Sequence, residues 1–314
     1  MPSPGSLPLI ALIGATGIGK TALAIQIAQR FNGEIVGADS RQIYRYMEIG
    51  TAKPTPAERA AAPHHLIDVT DPDQPLTLAE YQALAYTAIE SIQQRGKLPV
   101  LVGGTGQYVT AVLEGWQTPE VPPNAALRAE LEALAATGGT SALVERLRAL
   151  DPDSAARIDP HNARRLIRAL EVCLISGQPF SQQRRKAPPP YQVLEIGLHL
   201  PREVLFPRLD DRIDRMMEAG LLAEVEALRE RGYDWRLPAM SSLGYAQLGA
   251  HLRGACSLEA AIAAIKRETR TFVRRQETWF RHHGAPQWFT ATDTAAVFNT
   301  IAAWHNYHVA SGDR

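Results

Sequence analysis

The run Gly14-Ala15-Thr16-Gly17-Ile18-Gly19-Lys20-Thr21 satisfies the pattern G-x-x-x-x-G-K-[ST] at every constrained position. Its surroundings decide how it is read. Residues 9–13, Leu-Ile-Ala-Leu-Ile, form a short apolar run of buried-strand type, and residues 22–30 read as the helix that should follow. The glycines let backbone N–H groups turn inward around an anion, and the helix N-terminus adds partial positive charge. Lys20 supplies a point charge to a terminal phosphate, and Thr21 a hydroxyl for a magnesium ion. All eight residues are therefore candidates for a polyphosphate site. The loop alone does not say which polyphosphate it holds, or whether that group is transferred or merely leaves.

Working outward, further strand-like runs occur at residues 34–38, 98–102 and 193–200, separated by helical patterns such as residues 79–94, with apolar positions Leu84, Ala88, Ile89 and Ile92. This alternation predicts an α/β fold, a P-loop NTPase-like parallel sheet core flanked by helices, with ligands at the carboxyl ends of the strands. Gly14, Asp39-Ser40 and Gly103-Gly104-Thr105-Gly106 follow three of those ends, so three loops are expected on one rim. The pattern changes at the proline-rich residues 118–123 and resumes at Tyr191, after Lys186-Ala187-Pro188-Pro189-Pro190. Between them, 125 to about 174 reads as helical throughout. Residues 118–187 are thus predicted to be an all-helical insertion, with 1–117 and 188–314 forming the core. One long helix is expected over residues 202–231, with Leu205, Leu209, Ile213, Met216, Leu221, Val225 and Leu228 as its inner stripe. A last helix is expected at 258–281.

The 314 residues are 45% hydrophobic and 21% charged, an ordinary globular composition. Lys plus Arg equals Asp plus Glu at 33 each, so net charge gives no hint of a nucleic-acid partner and local charge must carry that argument. Residues 1–6 lack the basic region of a secretory signal, and no apolar run reaches membrane-spanning length. Cys173 and Cys256 read as reduced core thiols, so a cytoplasmic location is expected. His64-His65 and His282-His283 have no carboxylates or cysteines at ligand spacing, and no zinc site is expected.

Asp39, at a strand's carboxyl end opposite the phosphate loop, can take a proton from a nucleophile or hold magnesium through water. It can equally cap a turn over Ser40 and Arg41. Arg208, Arg212 and Arg215 share one helix face, either as a solvated surface with Asp210, Asp211 and Asp214 or as guanidinium ligands of a leaving phosphate. Asp68 after Leu66-Ile67 is a weak Walker-B-like signal. Two basic stretches stand out. One contains Arg157, Arg164, Arg165 and Arg168, then Arg184, Arg185 and Lys186; the other is residues 266–283, with Phe272, Trp279 and Phe280 interleaved. Each reads as an amphipathic structural helix or as an RNA surface, and the two together with a phosphate loop point to RNA.

Several blocks resemble the signatures of bacterial tRNA dimethylallyltransferases, in the same order over roughly residues 8 to 290. They are Gly14 to Thr21, Asp39-Ser40-Arg41-Gln42-Ile43-Tyr44, Ile49-Gly50-Thr51-Ala52-Lys53-Pro54, Leu101-Val102-Gly103-Gly104-Thr105-Gly106, Arg165-Leu166-Ile167-Arg168-Ala169-Leu170-Glu171 and Gly244-Tyr245. The resemblance implies transfer of a dimethylallyl group from its diphosphate to N6 of the adenosine 3′-adjacent to the anticodon. The loop then holds the donor's pyrophosphate, and an ATP-binding label drawn from the motif would mislead. By the same resemblance Asp39 matches the general base, Thr105 the residue beside the reacting amine, and Arg212 a second pyrophosphate ligand. Asp39, Ser40, Arg41 and Gln42 match segments that touch tRNA. So do Arg164, Arg165, Leu166, Ile167 and Arg168, and Ser241, Ser242, Leu243, Gly244, Tyr245 and Ala246. Magnesium is the implied cofactor, with Thr21 its side-chain ligand; the tRNA anticodon stem-loop is the implied partner, and a monomer is expected. Ala246 stands where a basic residue is frequent, and Gln107 where leucine is common.

Three rival readings differ in what they require. An adenylate isopentenyltransferase shares the loop and base but needs neither the helical insertion nor the basic segment at 164–168. A small-molecule kinase should show a clear Walker-B carboxylate and an arginine-bearing lid. A non-catalytic RNA-binding module leaves Asp39 and the loop unexplained.

Overall fold

The computed structural model describes residues 7–117, 119, 121–183 and 185–312, with side chains through 306. Residues 1–6, Thr118 and Glu120 of the proline-rich connector, and Arg184 of the first basic stretch lie outside the described residues. The chain divides into two compact units, Met1–Leu113 with Pro189–Arg314, and Glu114–Pro188.

The first unit begins with β1 (Leu7–Gly14), α1 (Lys20–Arg30), β2 (Gly33–Gly37), α2 (Pro56–Ala61), β3 (His64–His65), α3 (Leu78–Gln94), β4 (Leu98–Gly103) and α4 (Gly106–Glu114). The second unit carries β5 (Trp116–Gln117), α5 (Ala125–Leu150), α6 (Pro152–Arg157), α7 (Ala163–Ser176), α8 (Phe180–Gln183) and β6 (Arg185–Lys186). The first then resumes with β7 (Tyr191–His199), α9 (Arg202–Glu218), α10 (Leu221–Glu230), α11 (Tyr245–Leu252), α12 (Leu258–His282), β8 (Gln287–Thr290) and α13 (Thr294–Gly312).

Six parallel strands form one sheet in the order β3-β2-β4-β1-β7-β8. β1 lies between β4 and β7, which is why residues 9–13 are apolar without alternation: both faces are covered. Ile10 and Leu12 pack with Leu23 and Ile27 of α1, Leu205 of α9 and Val297 of α13. Leu9 and Ile13 pack on the other face with Tyr81 and Ile89 of α3, Val112 of α4 and Phe280 of α12. Because all strands are parallel, the ends of β1, β2 and β4 open on the same sheet edge, so the three expected loops share it. A third core joins Ile43, Tyr44 and Met47, from the loop after β2, to Ile213, Val225, Tyr245 and Ile265.

The structure corrects the sequence reading in five places. The helix expected over 202–231 is two helices, because Gly220 adopts φ 98° and restarts the chain as α10. The helix at 258–281 is not the last, since β8 and α13 follow it. β3 is only two residues long, too short to give a strand pattern in the sequence. The inner stripe of α3 runs Tyr81, Ala85, Ile89 and Ile92, and Leu84 is instead 37% exposed. The second unit is not wholly helical, for β5 and β6 pair antiparallel. Within it, α5 is broken at Gly139, φ 68°, and Leu131, Leu147, Leu166 and Leu170 form its core.

Candidate active site

α1 starts without a side-chain cap: its N-cap is Gly19, at φ 104°. By contrast α3 has a full capping box from Thr77 and Glu80. The first amides of α1 therefore have no side-chain partner and suit an anion. Beside them is a cavity of about 580 Å³, lined by Thr16, Gly17, Gly19, Lys20 and Thr21 and by Arg208, Arg212 and Arg215. Burial pulls the Lys20 ammonium down to about 8; the Asp39 charge opposes this and Arg212 adds to it. Two Lys20 protons go to the carbonyls of Gly14 (2.9 Å) and Ala15 (2.7 Å), which leaves the third for a ligand. Burial also lowers the Arg212 pKa, with Asp39 opposing and Arg208 and Arg215 reinforcing. Four cations, Lys20, Arg208, Arg212 and Arg215, face two carboxylates, Asp39 and Glu58, across this cavity, which is therefore short of negative charge.

α9 explains why its arginines and aspartates separate. Asp210 pairs with Arg270, and Asp214 with Lys266 (2.6 Å), both on α12. These pairs draw two of the three aspartates to α12, while Arg208, Arg212 and Arg215 line the cavity.

A second cavity, about 640 Å³, adjoins the first. Leu209, Ile213, Met216, Leu243 and Phe272 give it apolar walls. Thr16, Asp39, Gly104 and Arg212 line both cavities. The junction thus carries one carboxylate and one guanidinium, between a cationic chamber and an apolar one.

Asp39 meets both of its readings. Its Oδ1 accepts from the N–H of Arg41 (2.8 Å) and Gln42 (3.4 Å), which closes the turn. No described residue donates to Oδ2, which is left for chemistry. Thr105 Oγ1 accepts from Ser40 N–H (3.0 Å) and donates to Ser40 Oγ (3.3 Å), tying the loop after β4 to the loop after β2.

A model of the family described as IPP transferase matches residues 42–283. The chain belongs to that family. A tRNA dimethylallyltransferase of Chloroflexus aggregans is 58% identical over 87% of this chain and 92% of its own. One from Roseiflexus castenholzii is 56% identical over 88% and 90%. Among solved structures, the full-length tRNA isopentenylpyrophosphate transferase from Bacillus halodurans superposes with TM-score 0.70 at 39% identity, covering 98% of this chain and 97% of that one. A eukaryotic dimethylallyltransferase acting on tRNA gives TM-score 0.78 at 27% identity, covering 97% and 80%.

In this IPP transferase the expected site residues divide by environment. Gly14, Ala15 and Ile18 do not line the cationic cavity; Ala15 and Ile18 are core, and Gly14 closes β1. Ser40, Arg41, Thr105, Ser241, Ser242, Leu243, Gly244 and Ala246 line the apolar cavity. Gln42 instead spends its amide on the carbonyls of Thr51 (3.1 Å) and Ala52 (3.0 Å). Tyr245 is a core residue, and its hydroxyl donates to Glu224 (2.5 Å). Leu166 and Ile167 are core residues of the second unit, so their side chains cannot face RNA. Arg168 is held by Glu171 (2.6 Å) and the Val121 carbonyl (2.9 Å), while Arg164 and Arg165 are exposed. Asp68 is structural rather than Walker-B-like. Burial pushes its pKa up, but Lys53 (2.5 Å) and Arg59 (2.7 Å) hold it below the usual carboxylate range.

Two residues escaped the sequence reading. Glu224 accepts from three successive amides, Glu48 (2.9 Å), Ile49 (2.8 Å) and Gly50 (3.2 Å), and so fixes the segment leading to Thr51 and Ala52 in both cavity walls. Gln276 joins two of the rim loops. Neither belongs to a local pattern that could have flagged it.

The exposed arginines yield a test of RNA contact. Replacing Arg164 and Arg165 together by alanine is expected to weaken tRNA binding and flatten its log–log salt slope by about two, with donor affinity unchanged. An unaltered slope in a filter-binding titration would make these arginines plain surface. Arg168→Ala should instead lower stability, since Glu171, 0% exposed, loses one of its partners.

Proposed function

We propose that this IPP transferase moves a dimethylallyl group from dimethylallyl diphosphate to N6 of the adenosine 3′-adjacent to the anticodon of tRNA, releasing pyrophosphate. The observation that carries this reading is the junction of a cationic chamber with an apolar one, at which Asp39 and Arg212 line both. A diphosphate suits the first and a prenyl group beside an extruded base suits the second.

In this reading the N6 nitrogen forms a bond to the allylic carbon as the carbon–oxygen bond to the diphosphate breaks. The adenine amine is a poor nucleophile because its lone pair is delocalised into the ring. Asp39 accepts its proton as the new bond forms. Lys20, Arg212 and the amides at the start of α1 stabilise the charge gathering on pyrophosphate. Thr105 sits beside the reacting amine and orients the Ser40 segment. The outward-facing arginines hold the tRNA backbone, and a cytoplasmic monomer completes the proposal.

Magnesium fits the donor set. The Thr21 hydroxyl lines the cationic cavity, and no cluster of three or more His, Cys, Asp or Glu among the described residues makes a protein cage. A magnesium ion carried mainly on diphosphate oxygens and water, with Thr21 as a protein ligand, needs no such cage. When bound it would neutralise part of the leaving group's charge.

The deciding assay offers labelled dimethylallyl diphosphate with unmodified tRNA, AMP or no acceptor. Label in tRNA alone is the expected result. Label in AMP would turn the reading to a free-nucleotide prenyltransferase, and label in neither would refute prenyl transfer.

A further inference from the structure

Gln276 stands inside α12, 5% exposed, with both ends of its amide engaged. Its Oε1 accepts from the Thr16 N–H (2.9 Å), and its Nε2 donates to the Gly104 carbonyl (2.8 Å). The partners fix which end is oxygen, because one offers only a proton and the other only a lone pair. Gly104 has no side chain for a visible reason: a Cβ there would stand 2.4 Å from Nε2. Two residues on, a Cβ at Gly106 would stand 2.1 Å from the Trp279 ring, so the glycine loop after β4 is shaped against α12.

The two partners belong to different parts of the proposed reaction. Thr16 is inside the diphosphate loop. Gly104 adjoins Thr105, which holds Ser40 beside Asp39. A hydrogen-bonded path therefore runs from the donor loop to the acceptor loop, and Gln276 is the side chain that joins its halves. Gln276 also takes the Thr16 amide away from any anion, leaving the amides nearer the start of α1 for the diphosphate.

We propose that Gln276 is a positioning residue that sets the separation between the diphosphate loop and the Thr105 loop, and through it the approach of the acceptor nitrogen to the allylic carbon. The inference rests on the prenyl-transfer reading above. Reacting atoms must be held roughly 3–3.5 Å apart, and a misplacement of about 1 Å can cost a hundredfold in rate.

Gln276→Glu separates positioning from bulk packing. As a neutral acid the new side chain can still accept from Thr16 N–H and donate its O–H to the Gly104 carbonyl. As a carboxylate it sets a charged oxygen against that carbonyl with no proton between them. Burial favours the neutral form, so its transition lies above the usual carboxylate range. Single-turnover transfer by Gln276→Glu should therefore approach wild type below the transition and fall about tenfold to hundredfold as pH rises through it. Wild type should lack that limb, and tRNA affinity should not follow it. A Gln276→Glu profile parallel to wild type would overturn the proposal.

If Gln276→Glu fails to fold, Gln276→Asn carries the test. One methylene shorter, it can reach only one loop, so the loss should appear at every pH. Near-wild-type transfer by Gln276→Asn would likewise overturn the proposal. The unsubstituted protein gives a measurement independent of the reaction: its Thr16 amide should exchange with solvent far more slowly than that of Gly17. Fast Thr16 exchange would refute the contact itself, whereas a wild type that transfers no prenyl group would refute the functional reading alone.

Discussion

Asp39→Asn is expected to slow single-turnover prenyl transfer by about a hundredfold to ten-thousandfold while both substrates bind near normally. Asparagine can keep the turn, since its side-chain oxygen can accept from the Arg41 and Gln42 amides as Oδ1 does now. It can also accept a hydrogen bond from the adenine amine. It cannot readily take the proton, and that one lost ability is what the experiment isolates. Transfer is measured with donor and tRNA both saturating, so that binding defects do not enter. Near-wild-type transfer would return Asp39 to a turn-closing role and leave the reaction without its base. A variant that failed to bind tRNA would show the turn itself to be the main contribution.

Lys20→Ala and Arg212→Ala should each cost on the order of 3 kcal/mol in the barrier, about a hundredfold in rate, with tRNA binding largely intact. Lys20 also links donor binding to pH. Burial lowers the Lys20 pKa to about 8, so the ammonium loses its charge as pH rises through that range. A bound diphosphate favours the ammonium and raises its pKa. Donor binding above pH 8 should therefore take up a proton, and donor KM should climb as pH rises through that range. Calorimetry in two buffers of different ionisation enthalpy measures the uptake directly. Zero uptake at pH 9 in wild type would show that Lys20 does not face the diphosphate. Turnover by both variants equal to wild type would falsify the assignment of this chamber to the leaving group.

The phosphate loop and the strands before and after it were legible because their signals are local: an apolar run, a glycine turn, then a helix with no cap. Asp39 was legible as a candidate, but its two roles could not be weighed without the turn geometry. The arginines of α9 show the limit more sharply. Their common face follows from helical spacing, whereas the choice between solvent and cavity depended on α12 drawing Asp210 and Asp214 to itself. Gln276 lies 260 residues from Thr16 and 172 from Gly104, and Glu224 lies 176 from Glu48, so no sequence period connects them. Glu224 in isolation reads as an outward acidic residue of an amphipathic helix. Gly220 gives no signal of a break because Met216 and Leu221 continue the apolar stripe across it. Leu166, Ile167 and Tyr245 belong to motifs that match tRNA-contacting segments, and burial separates them from their exposed neighbours.

The β5–β6 ribbon matters beyond the unit it closes. Trp116 faces Lys186 and Gln117 faces Arg185, and the Ala187 N–H donates to the Gly115 carbonyl (2.9 Å). The polypeptide thus leaves the parent fold and returns to it about one inter-strand spacing away, roughly 5 Å. With its two ends already stapled together, whatever lies between them can lengthen, shorten or be swapped at little entropic cost. The ribbon works as a socket, so that the helical stretch between its strands can be refitted without moving the two points where the chain enters and leaves it.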